Sequence, residues 1–200
     1  MLLLLLGLVL FLGVHSTRVF ANGWRAATIA KVGPRPFKGM YSLVSIAGFV
    51  LLVWGYGLAR QDPVVLWAAP PAGVRHLAAL LTLMAFVLVA AAYVPGNEIK
   101  HLVHHPMVLG VIFWALAHLL ANNTLADVVL FGAFLVWAVL DWRAARKRDR
   151  DTNTVYVKGN MARTAATTSP TSGRRPVVRQ RMSTNFSAPR SAPKPASVTT

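Results

Sequence analysis

Long apolar runs alternate with short polar breaks along the first 142 residues of the chain. A helix needs roughly 20 predominantly apolar residues to cross about 30 Å of hydrocarbon. Five runs reach or approach this length, at residues 2–20, 41–59, 74–94, 102–121 and 125–142. The pattern therefore predicts an all-α fold, a polytopic transmembrane helix bundle of about five spans.

The breaks between the runs contain residues that end helices at membrane edges. Gly33-Pro34 is one example, since Gly tolerates unusual backbone angles and Pro cannot continue a helix from the preceding turn. The last break, Asn122-Asn123, is so short that the two final helices must be antiparallel neighbours.

Basic residues indicate the orientation of the bundle. The first connection contains no acidic residue and carries Arg18, Arg25, Lys31, Arg35 and Lys38. Because cytoplasmic loops carry an excess of Lys and Arg, the N-terminus is predicted outside and the basic C-terminal tail cytoplasmic. Residues 19–21 would suit signal-peptide cleavage, but no basic residue precedes the first apolar run, which is therefore interpreted as a retained span.

Composition divides the chain into a membrane domain and a basic tail. Of 200 residues, 55% are apolar and the mean hydropathy is +0.50, which is unusual for a soluble domain. The net charge is +15, of which +11 lies from residue 143 onward. We divide the chain into a transmembrane domain (1–142), a cytoplasmic basic juxtamembrane segment (143–167) and a Ser/Thr/Pro/Arg-rich tail (168–200). The tail is predicted to be disordered because it cannot bury enough apolar surface to offset its chain entropy.

Several kinds of chemistry are excluded by residues that the chain lacks. It has no cysteine, which excludes disulfides, thiolate zinc sites and iron–sulfur clusters. No phosphate-binding GxxxxGKS/T loop, nucleophile elbow or HExxH zinc motif occurs. The basic tail lacks aromatic platforms, so no nucleic-acid partner is predicted. Any metal or haem would have to be held by His, Met, Tyr or carboxylates.

Five sequence strings are more specific than hydropathy. They are GVHSTR (13–18), KGMYSL through GYGLAR (38–60), RHLAALL (75–81), YVPGNEIK (93–100) and HPMVLG through WAVLD (105–141). Through these strings the chain resembles the NnrU family from residue 1 to about 167, a bacterial family named for an association with nitrite and nitric oxide reduction in denitrifiers. The resemblance implies a multi-pass protein of the bacterial inner membrane. Members of the family usually continue after the segment that matches 159–167 into another apolar span, whereas this chain turns basic and Pro-rich, as a truncated or frameshifted product would.

The resemblance extends distantly to plant 15-cis-zeta-carotene isomerases, in which a haem b sits between two histidines. One of these histidines belongs to a His-Ser dipeptide early in the sequence, and the other belongs to an Ala-His dipeptide later in the sequence. Carried over to this chain, the resemblance implies His15 and His118 as the cofactor-binding residues and haem iron ligands. The isomerases have a cysteine three residues before the second histidine, where this chain has Ala115, so ligand exchange with that thiol does not occur here.

Membrane depth favours other pairings of the histidines. His15 lies late in a helix that runs inward and His118 lies late in a helix that runs outward, so at 1.5 Å per residue they differ in depth by more than about 10 Å. By depth alone, His15 would pair with His105 and His76 with His118. His76 and His105 therefore remain alternative ligands.

Other polar residues near the ends of the spans have simpler interpretations. His101, His104 and His105 are predicted to share one helical face, a spacing that suits a divalent metal, although a hydrated cluster at the membrane boundary is the commoner explanation. Asp127 and Asp141 lie near the ends of the last predicted helix, and we interpret them as end-capping or interfacial groups rather than proton relays.

Two functions of different classes are consistent with these residues. The first is a haem-binding membrane protein with a redox or isomerase-like role linked to denitrification; its catalytic residues are unknown. The second is a non-enzymatic membrane accessory factor for the maturation or regulation of a respiratory reductase, in which the histidines are structural. Predicted partners are the lipid bilayer and components of a nitrogen-oxide reductase. A transporter is less favoured because no internal repeat is visible.

Overall fold

Helices make up most of the chain that the structure describes. The computed structural model describes residues 1–156 and 158–165, and the tail predicted to be disordered (168–200) lies outside them. The helices in this part of the chain are α1 (Leu2–Phe20), α2 (Asn22–Val32), α3 (Pro34–Ala59), α4 (Ala72–Tyr93), α5 (Glu98–Val103), α6 (Pro106–Ala121), α7 (Leu125–Asp151) and α8 (Met161–Ala165). An isolated antiparallel bridge joins Val65 to Thr124.

Four helices within the described residues are long and apolar enough to cross a membrane, namely α1, α3, α4 and α7. α6 has 16 residues, about 24 Å at 1.5 Å per residue, so it is shorter than a hydrocarbon core of about 30 Å. Large side chains on the outer faces, such as Trp54 and Phe86, are exposed, as expected of surfaces that face lipid. The prediction of an all-α membrane bundle is confirmed.

The chain reverses direction between successive long helices, so one end of the bundle collects most of its charge. This end, called the basic end below, contains α2, α5, the C-termini of α1, α4 and α7, the N-termini of α3 and α6, and the segment from the end of α7 through α8. Within the described residues, every Lys and Arg except Arg60 and Arg75 belongs to it. The charge separation matches the one that the sequence predicted; which side of the membrane each end faces stays a prediction.

Two helix pairs are joined by α7. α1 packs along α3, α4 packs along α6, and α7 lies between α1 and α6. The main buried cluster forms where α1, α3 and α7 meet and includes Leu4, Leu8, Leu52, Leu130 and Phe131. Because these side chains come from three helices, the cluster fixes the position of α7 against the α1–α3 pair.

Glycines allow α1 and α3 to approach backbone to backbone. A Cβ added at Gly48 of α3 would lie 2.7 Å from the backbone nitrogen of Phe11. Similar additions at Gly7 and Gly55 would collide with the backbones of Leu52 and Leu4. Small residues at such interfaces allow close van der Waals packing, which drives helix association in lipid.

The predicted fourth span is broken at His104 and His105. α5 ends at Val103, His104 adopts a φ of 63°, and α6 begins at Pro106. Proline is favourable in a first helical turn but cannot extend a helix that precedes it, which explains where the helix restarts. The prediction that His101, His104 and His105 share one helical face was therefore wrong.

Two further segments are more helical than the hydropathy pattern suggests. The first connection contains α2, which Gly33 ends with a φ of 86°. α7 continues past residue 142 to Asp151, beyond the predicted end of the last span. After α7 the chain folds back, and the backbone nitrogen of Asn160 donates to the carbonyl of Gly96 over 2.9 Å. α8 therefore docks beside the turn that precedes α5.

Candidate functional site: a cavity beside His15

A cavity of about 610 Å³ opens at the basic end, between α1, α2, the start of α3, α6 and α7. Ligand and cofactor sites usually measure roughly 300–1,000 Å³. Its apolar wall includes Phe11, Val108, Val111, Phe134 and Trp137. The cavity is therefore large enough for a small amphiphile or a cofactor and offers it an apolar lining.

His15 lines this cavity and has one ring nitrogen already occupied. Its Nδ1 lies 2.6 Å from the carbonyl oxygen of Phe11, one turn earlier in α1. Because a carbonyl only accepts, Nδ1 must carry the proton, and in the neutral ring Nε2 then keeps its lone pair. The rings of Tyr41 and Trp137 flank His15 at centroid distances of 5.4 and 6.0 Å. This arrangement orients a free imidazole nitrogen within an aromatic wall.

Cationic side chains outnumber acidic ones around the cavity. Arg18, Arg25 and Lys38 line it, and the one carboxylate among its described lining residues is Asp141. Asp141 lies 3.8 Å from Arg148, which partly neutralises it. An apolar wall with a basic rim suits a ligand that has an apolar body and a negatively charged edge.

Trp137 contributes a buried donor to the same wall. Its Nε1 is buried and has no hydrogen-bond acceptor among the described residues. A buried N–H without a partner is costly, about 1–3 kcal/mol. Trp137 therefore offers its ring to the cavity, while its N–H is closed off from it.

His118 lies outside the lining of this cavity. Its ring stacks on Phe131 at 4.3 Å and meets Trp114 edge-on at 5.2 Å. Along α7, Phe131 precedes the Trp137 that flanks His15 by six residues, about 9 Å of helix rise. His15 and His118 thus lie at different depths along α7, and their pairing stays a prediction.

The two alternative histidines differ in their surroundings. His76 is exposed on α4. His105 lies at the basic end, where its Nε2 is 2.7 Å from Asp149. Neither lines the cavity among the described residues. Within the described part of the chain, no group of three or more His, Asp or Glu side chains could hold a metal ion.

Tyr156 organises a polar cluster at the helix break. Its hydroxyl donates to Asp149 over 2.9 Å, and its ring stacks on His104 at 4.1 Å. The backbone carbonyl of Tyr156 also lies 3.1 Å from Nδ1 of His101. Burial and the hydrogen bond to Asp149 raise the pKa of Tyr156 to about 12. His101, His104 and His105 thus each have a partner within the protein, as expected of histidines in a polar cluster at the membrane boundary.

At the opposite end, Asp127 is an end-capping residue as the sequence suggested. It forms a capping box with Thr124 at the start of α7 and accepts a 2.5 Å hydrogen bond from Tyr56. Its side chain is buried, with 4% of the residue exposed. The hydrogen bonds supply the partners that a buried carboxylate needs.

Sequence reasoning missed several cavity residues. Tyr41, Met107 and Trp137 line the cavity but appear in the sequence only as parts of apolar runs. Arg18 carried a usable signal, because it follows His15 by three residues and therefore lies on the same helical face. The other contacts depend on how the helices meet.

Comparison with known proteins gives one result. Neither the curated proteins nor the solved structures contain a match to the chain. A protein-family model described as NnrU protein matches residues 3–174, which covers α1 from its second residue onward and every later helix described above. The histidine, the cavity and the apolar bundle therefore belong to a member of the NnrU family of membrane proteins.

Proposed function

We propose that the protein binds haem b in the cavity beside His15 and has a redox or isomerase-like role linked to denitrification. The observation that carries the proposal is the state of His15. Its Nδ1–H is held by a backbone carbonyl, its side chain lines the cavity, and its Nε2 has no hydrogen-bond partner within the described residues. Histidine ligands of metals are typically oriented in this way, by an acceptor on the other ring nitrogen.

The remaining cavity residues fit the shape and charge of the group. Haem has a large apolar body and two carboxylates, and the rim offers Arg18, Arg25 and Lys38 to those carboxylates. Aromatic and aliphatic side chains line the interior. Haem would supply one-electron chemistry or an open iron position there, while the chain would exclude water and orient the group.

His118 is proposed as the second ligand because the resemblance to the isomerases names it. The rings of Trp114 and Phe134 lie 5.5 Å apart between the two histidines, so both would have to move for His15 and His118 to bind one iron. Met107 lines the cavity on α6 and offers a thioether instead. His105, which Asp149 already engages, is a weaker candidate.

The link to denitrification rests on the family to which the chain belongs. A haem protein of this kind would act beside a nitrogen-oxide reductase in the membrane. The competing function is a non-enzymatic accessory factor that supports maturation or regulation of the reductase without a cofactor of its own. The two functions differ in one measurable property, which is haem content.

Optical spectra of the purified, detergent-solubilised protein provide the test. We expect a Soret band in the wild type, with sharp α and β bands after reduction by dithionite. His15→Ala should abolish them. His118→Ala should also abolish the low-spin bands if it supplies the second ligand, and Met107→Leu should do so if the thioether does. His76→Ala is the matched control, because this exposed histidine lies outside the cavity, and its spectrum should be that of the wild type.

Two outcomes would contradict the proposal. A colourless wild type after haem supplementation would exclude the cofactor and favour the accessory factor. Equal haem content in wild type and His15→Ala would place the haem elsewhere in the protein.

A further inference from the structure

The continuation of α7 beyond the last apolar run forms a second site, separate from the cavity. From Leu125 to Trp142 the helix rises about 27 Å, close to the thickness of a hydrocarbon core. Trp142 therefore lies at the boundary of the membrane. The residues that follow it, up to Asp151, lie at the depth of the lipid headgroups.

Four basic residues of this extension share one face. Arg143, Arg146, Lys147 and Arg150 follow the spacing of three, four and seven residues that aligns side chains along a helix. Together with Trp142 they line one groove. Among the described residues that line it there is no carboxylate, so the groove has a strong positive potential.

Two of the three acidic residues nearby are engaged on the other side of the helix. Asp141 faces Arg148 at 3.8 Å, and Asp149 lies 2.7 Å from Nε2 of His105. The third, Asp151, is exposed at the last residue of α7, four residues after Lys147. Arg143, Lys147 and Arg150 are exposed, and no salt bridge is recorded for them within the described residues.

Two interactions give the groove a defined shape. Arg146 donates a 2.9 Å hydrogen bond to Nδ1 of His104, and its guanidinium lies 5.8 Å from the centroid of the Trp142 ring. Nε1 of Trp142 is buried and has no acceptor among the described residues. One basic side chain is thus fixed in position against the ring of Trp142, whose N–H is closed off from the groove.

We propose that this groove binds the phosphate of an anionic phospholipid headgroup. Arg143, Lys147 and Arg150 contact the phosphate, Arg146 borders it, and the ring of Trp142 forms the apolar side of the groove. A lipid is favoured over a soluble phosphate because the groove begins at the membrane boundary, where Trp residues are enriched. Basic clusters directly beyond a transmembrane helix attract anionic lipids.

The test uses the full chain in detergent, with bound lipids counted by native mass spectrometry during titration with phosphatidylglycerol. The groove variant is Arg143→Gln, Lys147→Gln and Arg150→Gln together. Each basic residue near a charged surface contributes about fivefold in affinity, so three should contribute of the order of 100-fold. The matched control removes the same charge from the same end of the bundle through Lys31→Gln, Arg35→Gln and Lys158→Gln, and should change the affinity less than about threefold.

Two further measurements distinguish an anionic lipid from a zwitterionic lipid and from free phosphate. We expect phosphatidylcholine to bind at least tenfold more weakly than phosphatidylglycerol, and inorganic phosphate at equal concentration to leave the bound lipid in place.

Three results would overturn the proposal. An equal loss in the control variant would show a diffuse charge effect without a site. Displacement of the lipid by inorganic phosphate would assign the groove to a soluble anion. Unchanged affinity in the groove variant would exclude this groove as the binding site.

Discussion

Substitution of Gly55 by alanine should destabilise the bundle, although alanine is the better helix former. In α3, a Cβ at this position would collide with the backbone nitrogen of Leu4 in α1. A flexible side chain could rotate away from the added methyl group, but a backbone atom within a helix cannot. The two helices must therefore separate, and the buried cluster that contains Leu4 and Leu52 must loosen.

The expected magnitude follows from two opposing effects. Overpacking a close interface costs about 1–3 kcal/mol, and the contact with backbone places Gly55→Ala near the upper value. Replacing glycine by alanine inside a helix returns about 0.5–1 kcal/mol. The free energy of unfolding should therefore fall by roughly 2 kcal/mol. This is a large part of the stability of a small domain.

Gly57→Ala is the matched control, because it makes the same chemical change in the same helix. No atom lies within 4 Å of a Cβ added at Gly57, so only the gain in helix propensity remains. Reversible unfolding of both variants in mixed micelles, followed by helical circular dichroism, should separate their free energies of unfolding by roughly 3 kcal/mol. If Gly55→Ala proves as stable as Gly57→Ala, α1 and α3 do not meet at Gly55.

Three smaller effects can be measured by the same methods. Thr124→Ala removes half of the capping box with Asp127 and should lower the free energy of unfolding by about 0.5–2 kcal/mol; an unchanged value would show that the cap contributes nothing. Gly33 has φ 86° and ψ 160°, a region almost restricted to glycine, so Gly33→Ala should cost about 1–3 kcal/mol, and a neutral result would argue against this turn. Since the pKa of Tyr156 is raised from 10.0 to about 12, its contribution to stability should be complete below pH 10.0 and disappear as the pH rises through about 12. The absorbance of the phenolate, measured as the difference between wild type and Tyr156→Phe, should report this titration. Asp149→Asn should lower the pKa of Tyr156. An unchanged pKa in this variant would show that Asp149 does not hold the hydroxyl.

The predicted fourth span shows where sequence reasoning was insufficient. Residues 102–121 are apolar enough to cross a membrane, and hydropathy averages over the histidines and Pro106. The helix nevertheless restarts at Pro106, because backbone geometry at single residues decides continuity and a window average does not detect it. In α7 the error has the opposite sign, because hydropathy ends the helix too early. The charged extension after residue 142 is unsuited to the lipid interior, yet it remains helical to Asp151 and contacts His104 and His105.

The sequence by itself determined the helical membrane fold, the approximate position of most spans and the collection of basic residues at one end. These properties depend on the length and order of apolar runs, which are local features of the chain. Only the tertiary structure decided that Arg18, Arg25 and Lys38 surround a cavity with His15, and that His118 lies outside its lining. Helix neighbours and rotations are selected by contacts between distant residues, such as Gly48 against Phe11, and hydropathy carries no information about which faces meet.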